Sequence, residues 1–455
     1  MKITDFMFEV DKSSKEYIST QIYENIKAKI LDSSYKHKDK LPSIREGAEK
    51  LCVSKTVISS AYFQLCTEGY TENIAYKGYY ICKIRGIKTN NSSLDLDYRD
   101  QNIVYINDGI DEEAFPKDVW RKTYNKMILG NDVDFTCQGD EQGEYELRKA
   151  IADFVRAHRD CKVLPEQIVV ASGIQSLISL LIKITKKNCS SVYLEMPSYK
   201  KVEYVFRDYD YEIKKVPVLE GGINIESLAN CENSFIYVSP SYQYPLGNLM
   251  PIDKRLELIN YAKEKNCLII EDDYASTIRY DSKPISSLQG LDSFDNTIYL
   301  GSFSKTFLPS LRISFMILPK KILGDYYKIK SKYTHTCSKL EQLTLAKLIS
   351  SGQMEKNLRK INNIYKQKNQ LITKYIKENF ADRLIVHNNQ SGFHIILSCK
   401  TKRDIDFLEE LKNEFLLIEI IEFKEENLLF LFSFSGLKLE EIPKTINVLA
   451  KILKI

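Results

Sequence analysis

The chain has 455 residues, of which 44% are hydrophobic and 28% charged, and a formal net charge of +4 at pH 7. That length exceeds what one hydrophobic core usually organises, so two or more domains are expected, and the balance of apolar and charged residues excludes fibrous and disordered classes. No run approaches the ~18 uninterrupted apolar residues of a membrane span and no apolar leader opens the chain, which sets the expectation of a soluble, cytoplasmic protein with no membrane partner. The 10 cysteines are scattered, without a CxxC pair, among only 5 histidines. Neither a zinc site nor a disulfide framework is expected from that spacing, and no metal ligand is assigned.

In chain order, residues 16–33 place Tyr17, Ile18, Ile22, Ile26, Ile30 and Leu31 three to four apart, the stripe of an amphipathic helix. A second helix is expected after Pro42, with Ser43 as N-cap and Glu46 three residues on as a capping box; a third follows Ser54 through Val57, Ile58, Ala61, Tyr62 and Leu65 to Gly69. Tyr70 to Cys82 alternates and contains Lys77-Gly78, the pattern of a two-stranded wing. Helix, helix-turn-helix and wing together predict a winged-helix DNA-binding domain over 1–85. That stretch holds 14 Lys plus Arg against 11 Asp plus Glu, so most of the net positive charge lies there.

The first turn of the third helix should meet base edges in the major groove, which makes Lys55 and Thr56 the candidate base readers; Arg45 is a candidate for base or phosphate contact. Ser43, Tyr62 and Lys77 are candidate backbone contacts, with Tyr62 equally suited to core packing, and Gly78 lets the wing approach the minor groove. A polar, aperiodic linker is expected over 86–102.

From Ile103 the rhythm changes. Short apolar strands at Val192 to Glu195, Phe235 to Ser239, Leu268 to Glu271, Thr297 to Gly301 and Ile313 to Leu318 alternate with helical segments such as Ser176 to Lys186 and Asp253 to Lys265. The expected fold is α/β, a mostly parallel sheet with helices on both faces over 103–350. A smaller α+β subdomain is expected over 351–455: a long helix near 355–379, strands at Phe393 to Ser398 and Leu428 to Phe434 around a helix at 404–414, and a last helix after Leu439.

Several strand ends carry chemistry, and ligands bind outside the carboxyl ends of such strands. Lys305, in Gly301-Ser302-Phe303-Ser304-Lys305, follows one strand; Asp272 and Tyr274 end another; Ser172-Gly173-Ile174-Gln175 joins a strand to a helix; Tyr199 follows a fourth. The set looks like the pyridoxal phosphate (PLP) site of a fold-type I aminotransferase. In that reading Lys305 forms the imine and is the one catalytic residue, Asp272 pairs with the pyridinium and Tyr274 meets the ring's phenolic oxygen. Backbone N–H groups at Ser172, Gly173 and Ile174 with Ser302, Ser304 and Arg312 form a phosphate cup, and Tyr199 stacks on the ring.

With both halves read, the chain resembles the MocR subfamily of GntR-type regulators, most specifically in Leu41-Pro42-Ser43-Ile44-Arg45, Gln138 to Gly143 with Leu147-Arg148, Ser239 to Gly247, Ile269 to Tyr280 and Gly301 to Met316. The resemblance implies a winged helix tethered to an aminotransferase-like domain, a head-to-tail homodimer on operator DNA with paired half-sites, PLP bound to Lys305, and a small amino-compound effector that alters DNA contacts. It does not imply efficient turnover. Where GABA-responsive members have an arginine two residues after the stacking tyrosine, this chain has Lys201, and the C-terminal arginine of their carboxylate clamp is replaced near Leu431, which argues against GABA itself. Tyr242 stands where the family has His, and Tyr244 where aminotransferases place a cofactor-contacting Asn. Lys201, Tyr242, Gln243 and Arg207 are the candidate ligand residues, with Arg279 as another substitute cation. The alternatives are a working aminotransferase with an appended DNA-binding domain, and a sensor of PLP itself controlling vitamin B6 genes.

Overall fold

In a computed structural model the described residues are 3, 6–83, 109–130, 133–186, 189–228, 231–280, 285–387, 391–404, 407 and 417–455. The chain divides into two compact units, Met1–Arg99 and Asp100–Ile455. The expected linker over 86–102 and most of the expected helix at 404–414 lie outside the described residues.

The first unit is built on α1 (Ile18–Leu31), α2 (Ile44–Lys50) and α3 (Lys55–Thr67), followed by a hairpin of β1 (Thr71–Ile74) and β2 (Gly78–Ile81) with Thr71 opposite Ile81. The helix starts follow from their caps: Ser43 Oγ accepts the Glu46 N–H at 3.2 Å, and Ser54 Oγ accepts that of Val57 at 3.4 Å. Ile22, Ile26 and Ile30 of α1 pack with Ile58 and Leu65 of α3, and Phe6, ahead of the first helix, completes the core.

Tyr62 belongs to that core, a correction to its expected role at the DNA backbone. Its ring is fully buried, edge-on to Phe6 and Tyr79, and its hydroxyl donates to the Pro42 carbonyl at 3.1 Å. An α3 position four residues beyond Ile58 faces the same way as Ile58, which is inward. Tyr62→Ala is therefore expected to destabilise this unit by about 3–5 kcal/mol. Tyr62→Phe should cost only about 1 kcal/mol, for the lost hydrogen bond. Denaturant unfolding followed by circular dichroism checks both; a Tyr62→Ala protein of normal stability but weak DNA binding would restore the contact role.

The second unit centres on an eight-stranded sheet: β3 (Ile168–Ala171), β4 (Ser191–Met196), β5 (Glu212–Leu219), β6 (Gly222–Ile223), β7 (Phe235–Val238), β8 (Leu268–Asp273), β9 (Thr297–Ser302) and β10 (Ser314–Ile317), in the order 3-10-9-8-7-4-5-6. β4, β5, β7, β8 and β9 are parallel; β10 is reversed against both its neighbours and β6 against β5. Both faces are covered, so the strands read as unbroken apolar runs rather than alternating ones. Ile270, Leu300 and Met316 pack on one face with the helix Ile174–Thr185, while Ile236 and Ile269 pack on the other with Leu258.

Beyond the 27-residue helix Gln353–Asn379 lies a second sheet, β11 (Leu384–Val386), β12 (His394–Lys400), β13 (Ile418–Lys424) and β14 (Asn427–Ser433), antiparallel throughout in the order 11-12-14-13. The helix Ile442–Leu453 buries Ile442, Ile446 and Leu449 in the same core as the long helix. Only β12 and β14 were expected; β11 has three residues and β13 carries Glu419, Glu422 and Lys424, so neither presents an apolar run. No helix among the described residues is long and apolar enough to cross a membrane.

Candidate functional site

The site is built on β8. Glu271, Asp272 and Asp273 end this buried strand, and successive side chains point to opposite faces of a sheet. Asp273 goes to one side, where Arg159 Nε pairs with it at 2.6 Å and the Tyr299 hydroxyl donates to it at 2.6 Å; Glu271 lies 3.7 Å from the same guanidinium. Asp272 goes to the other side, towards a cavity of about 530 Å³. Two residues on, Tyr274 lines the same cavity.

Asp272 Oδ2 accepts a hydrogen bond from the Tyr237 hydroxyl on neighbouring β7, while Oδ1 is buried with no hydrogen-bond partner among the described residues. Burial pushes its carboxyl up to about 7, opposed by the Tyr237 hydroxyl and assisted by the Asp273 charge. The Tyr274 hydroxyl is likewise buried and unpartnered, and burial raises its pKa well above the usual phenol value. Two orphaned polar atoms on residues that line one cavity are costly unless a ligand satisfies them.

Lys305 reaches the cavity from the segment after β9, its Nζ 5.2 Å from the centre of the Phe393 ring. Opposite, the helix Ile174–Thr185 begins with Gly173 as N-cap, at φ +99° and ψ 165°, a conformation open essentially to glycine alone. A Cβ built on Gly173 would lie 2.6 Å from Arg312 Nη2, so the guanidinium rests directly on this backbone. Ile174, Ser302 and Ser304 line the same end, with the Ser314 hydroxyl donating to Ser302 Oγ at 3.0 Å. Tyr199 and Lys201 also line the cavity, the Lys201 carbonyl accepting from Gln175 Nε2 at 3.3 Å and Tyr199 edge-on to Tyr244 at 5.6 Å.

Four expected site residues lie elsewhere. The Ser172 backbone N–H donates to Thr336 Oγ1 at 2.9 Å and its side chain turns to Ser176. Tyr242 is buried, its hydroxyl donating to the Ser391 carbonyl at 3.1 Å. Gln243 Nε2 donates to the Pro197 and Tyr244 carbonyls at 2.8 and 2.7 Å and its Oε1 accepts the Leu246 N–H, which spends the amide on holding the turn. Arg207 is surface-exposed and paired with Glu203 at 2.6 Å, one helical turn away. These are corrections to the expected cup and ligand set: each side chain is committed to another partner and none lines the cavity.

Residues absent from the sequence-based expectation also line the cavity: Phe393, just ahead of β12, and His394, Ile418 and Glu419 from the second sheet. Leu431 and Tyr244, noted only as departures from the family pattern, stand there as well. The Tyr244 hydroxyl donates to Glu419, and Glu419 sits opposite Leu431 in the β13–β14 register.

In the first unit Lys55 and Thr56 are exposed on the opening turn of α3, Ser43 and Arg45 are exposed at the start of α2, and Lys77 is exposed in the turn before Gly78, which has φ +102°. Arg45 pairs with Glu49 at 3.1 Å with both side chains mostly in water, an interaction weak enough to yield to phosphate.

Residues 18–81 match the bacterial regulatory proteins of the gntR family and residues 106–429 match aminotransferase class I and II. The HTH-type transcriptional regulator YdeL of Bacillus subtilis is 32% identical over 384 residues, spanning 83% of this chain and 83% of that protein. The probable rhizopine catabolism regulatory protein MocR of Rhizobium meliloti is 27% identical over 410 residues, 86% of this chain and 83% of that one. Among solved structures, the multiple substrate aminotransferase of Thermococcus profundus superposes with a TM-score of 0.66 at 20% identity, covering 76% of this chain and 90% of its own, a likeness of fold.

Proposed function

Because the chain belongs to the MocR-type regulators, in which a GntR-family DNA-binding segment precedes an aminotransferase class I and II domain, we propose that PLP occupies the cavity at Lys305 and that capture of a small amino compound there changes operator binding. The observation that carries this reading is the paired orphaned atoms, Asp272 Oδ1 and the Tyr274 hydroxyl, beside a glycine cradle filled by an arginine. A protonated ring nitrogen suits the first, a ring oxygen the second and a phosphate dianion the third.

PLP supplies an aldehyde that condenses reversibly with one primary amine at a time, so Lys305 and an amino effector compete for a single position. The residues do the rest. Asp272, desolvated and fixed by Tyr237, holds a proton on the atom it faces. Arg312 and the N-terminal N–H groups of the helix Ile174–Thr185 bind the anion. Tyr199 limits the position of the ring, and Phe393 with Tyr274 excludes water around Lys305 Nζ. Effector binding shifts operator affinity only by its differential affinity for the two states of the protein. Lys55, Thr56, Arg45, Ser43 and Lys77 are the residues proposed to contact DNA, and a homodimer is proposed to read two half-sites.

The test is the visible spectrum of purified wild type and Lys305→Ala with PLP, before and after a panel of amines and amino acids, with keto acid assayed and operator footprints taken in parallel. Wild type is expected to be yellow and Lys305→Ala to lack the imine band. A ligand is expected to shift the wild-type band and the footprint without keto acid. Stoichiometric keto acid would make the chain an aminotransferase, and no uptake of PLP would end the reading.

A further inference from the structure

The cavity has two chemically different ends. Its cations, Lys305, Arg312 and Lys201, all come from the large-sheet side, where Arg312 is spent on the Gly173 cradle. The end built by β13 and β14 offers Leu431, nearly fully buried, and one ionisable group, Glu419, while His394 on β12 has its Nε2 3.1 Å from the Pro245 carbonyl. Glu419 is half-buried, held by the Tyr244 hydroxyl and registered opposite Leu431, so its carboxylate and this apolar surface form one continuous wall. A carboxylate on the ligand seated there would face a like charge and an apolar side chain, with no guanidinium from the two strands to receive it. An ammonium would meet a half-buried carboxylate that still has lone pairs to offer.

From this we infer that the effector is an aliphatic primary amine without a carboxylate, of the diamine type. One amino group takes the place of Lys305 Nζ, the methylene chain lies on Leu431, and the second ammonium is received by Glu419. The inference rests on the reading of the cavity as a PLP site. Glu419 and Leu431 then set specificity, and exchange of one amine for another at a carbonyl carbon releases Lys305 as a free amine with no net redox change.

The full-length protein loaded with PLP would be titrated with 1,4-diaminobutane, n-butylamine and 4-aminobutanoate, following the visible band and the melting temperature. The expected result is half-saturation by the diamine at a concentration at least tenfold below either other ligand. Glu419→Gln should remove the advantage of the diamine over butylamine while leaving PLP uptake intact, and Leu431→Arg should move the preference to 4-aminobutanoate. Preference of the wild type for 4-aminobutanoate, or an undiminished diamine advantage in Glu419→Gln, overturns the inference while leaving the cofactor reading in place. Failure of the wild type to take up PLP overturns both.

Discussion

Replacing Asp272 by Asn is expected to weaken PLP retention by at least about a hundredfold, roughly 2.7 kcal/mol, while making the cofactor-free protein more stable at pH 8. The two effects have one cause. Asp272 is buried, and its folded-state pKa of about 7 lies above the ordinary carboxyl value because burial strips water from the charged form and the Asp273 charge adds to the effect. For such a group the unfolded chain ionises first: the stability contribution is complete below about pH 4 and falls as pH rises, until the folded group has also ionised just above 7. Asparagine keeps an oxygen for the Tyr237 hydroxyl and removes that loss, at the cost of a buried N–H where Oδ1 stood. A net gain of about 1–3 kcal/mol at pH 8, vanishing towards pH 4, is the balance of those terms. Glu195, also buried and pushed up to about 8 by burial with a contribution from the Asp272 charge, is relieved of that contribution in the variant, which adds to the gain at pH 8 in the same direction. With PLP the order reverses, since the carboxylate then has a cation to pair with. Calorimetric melting of both proteins at pH 4.5, 6 and 8, with and without PLP, reads all four arms; equal retention of PLP by the variant would remove Asp272 from the site.

The parts of this site that were legible in the sequence are those fixed by spacing along one element. Asp272 lies at the end of β8 and Tyr274 two residues on, just past the strand, so the spacing brings both to one side once the strand is recognised. Gly173 ahead of an amphipathic helix announces an N-terminus pointing at an anion. What was not legible depends on which strands are neighbours and in what register. Tyr237 reads as one more apolar strand residue; only the adjacency of β7 and β8 brings its hydroxyl to Asp272. Glu419 lies opposite Leu431 in an antiparallel pair whose register shifts between Ile420 and Glu422, a bulge that no pattern in 418–424 signals. Tyr242, Gln243 and Arg207 failed as ligand residues for a related reason. Polar side chains close in sequence to a site are as readily consumed by the turn or helix that carries them, as in Gln243 and Arg207, or by a distant backbone carbonyl, as in Tyr242, and sequence distance does not distinguish these fates.

Gly173→Ala is expected to lower PLP affinity by about 10- to 100-fold, and the effect should be confined to the phosphate. The added Cβ lies 2.6 Å from Arg312 Nη2, so the guanidinium must leave the backbone it rests on. The alanine must also hold a conformation near φ +99°, ψ 165° that costs about 1–3 kcal/mol outside glycine, or the turn into the helix Ile174–Thr185 must move. A charge-assisted hydrogen bond to an anion is worth about 1.5–3 kcal/mol, which sets the scale of the loss. Arg312→Gln should cost a similar amount by removing the same charge. Because both changes act through one guanidinium, the double variant should lose less than the product of the two single losses. Pyridoxal, which lacks the phosphate, provides the control: its weaker binding should be nearly the same in wild type and all three variants. Equilibrium titrations of PLP and pyridoxal against the four proteins decide it. If pyridoxal binding falls as steeply as PLP binding, Gly173 supports the fold of the cavity and not its anion site; if the two single losses multiply, glycine and arginine act on different atoms of the ligand.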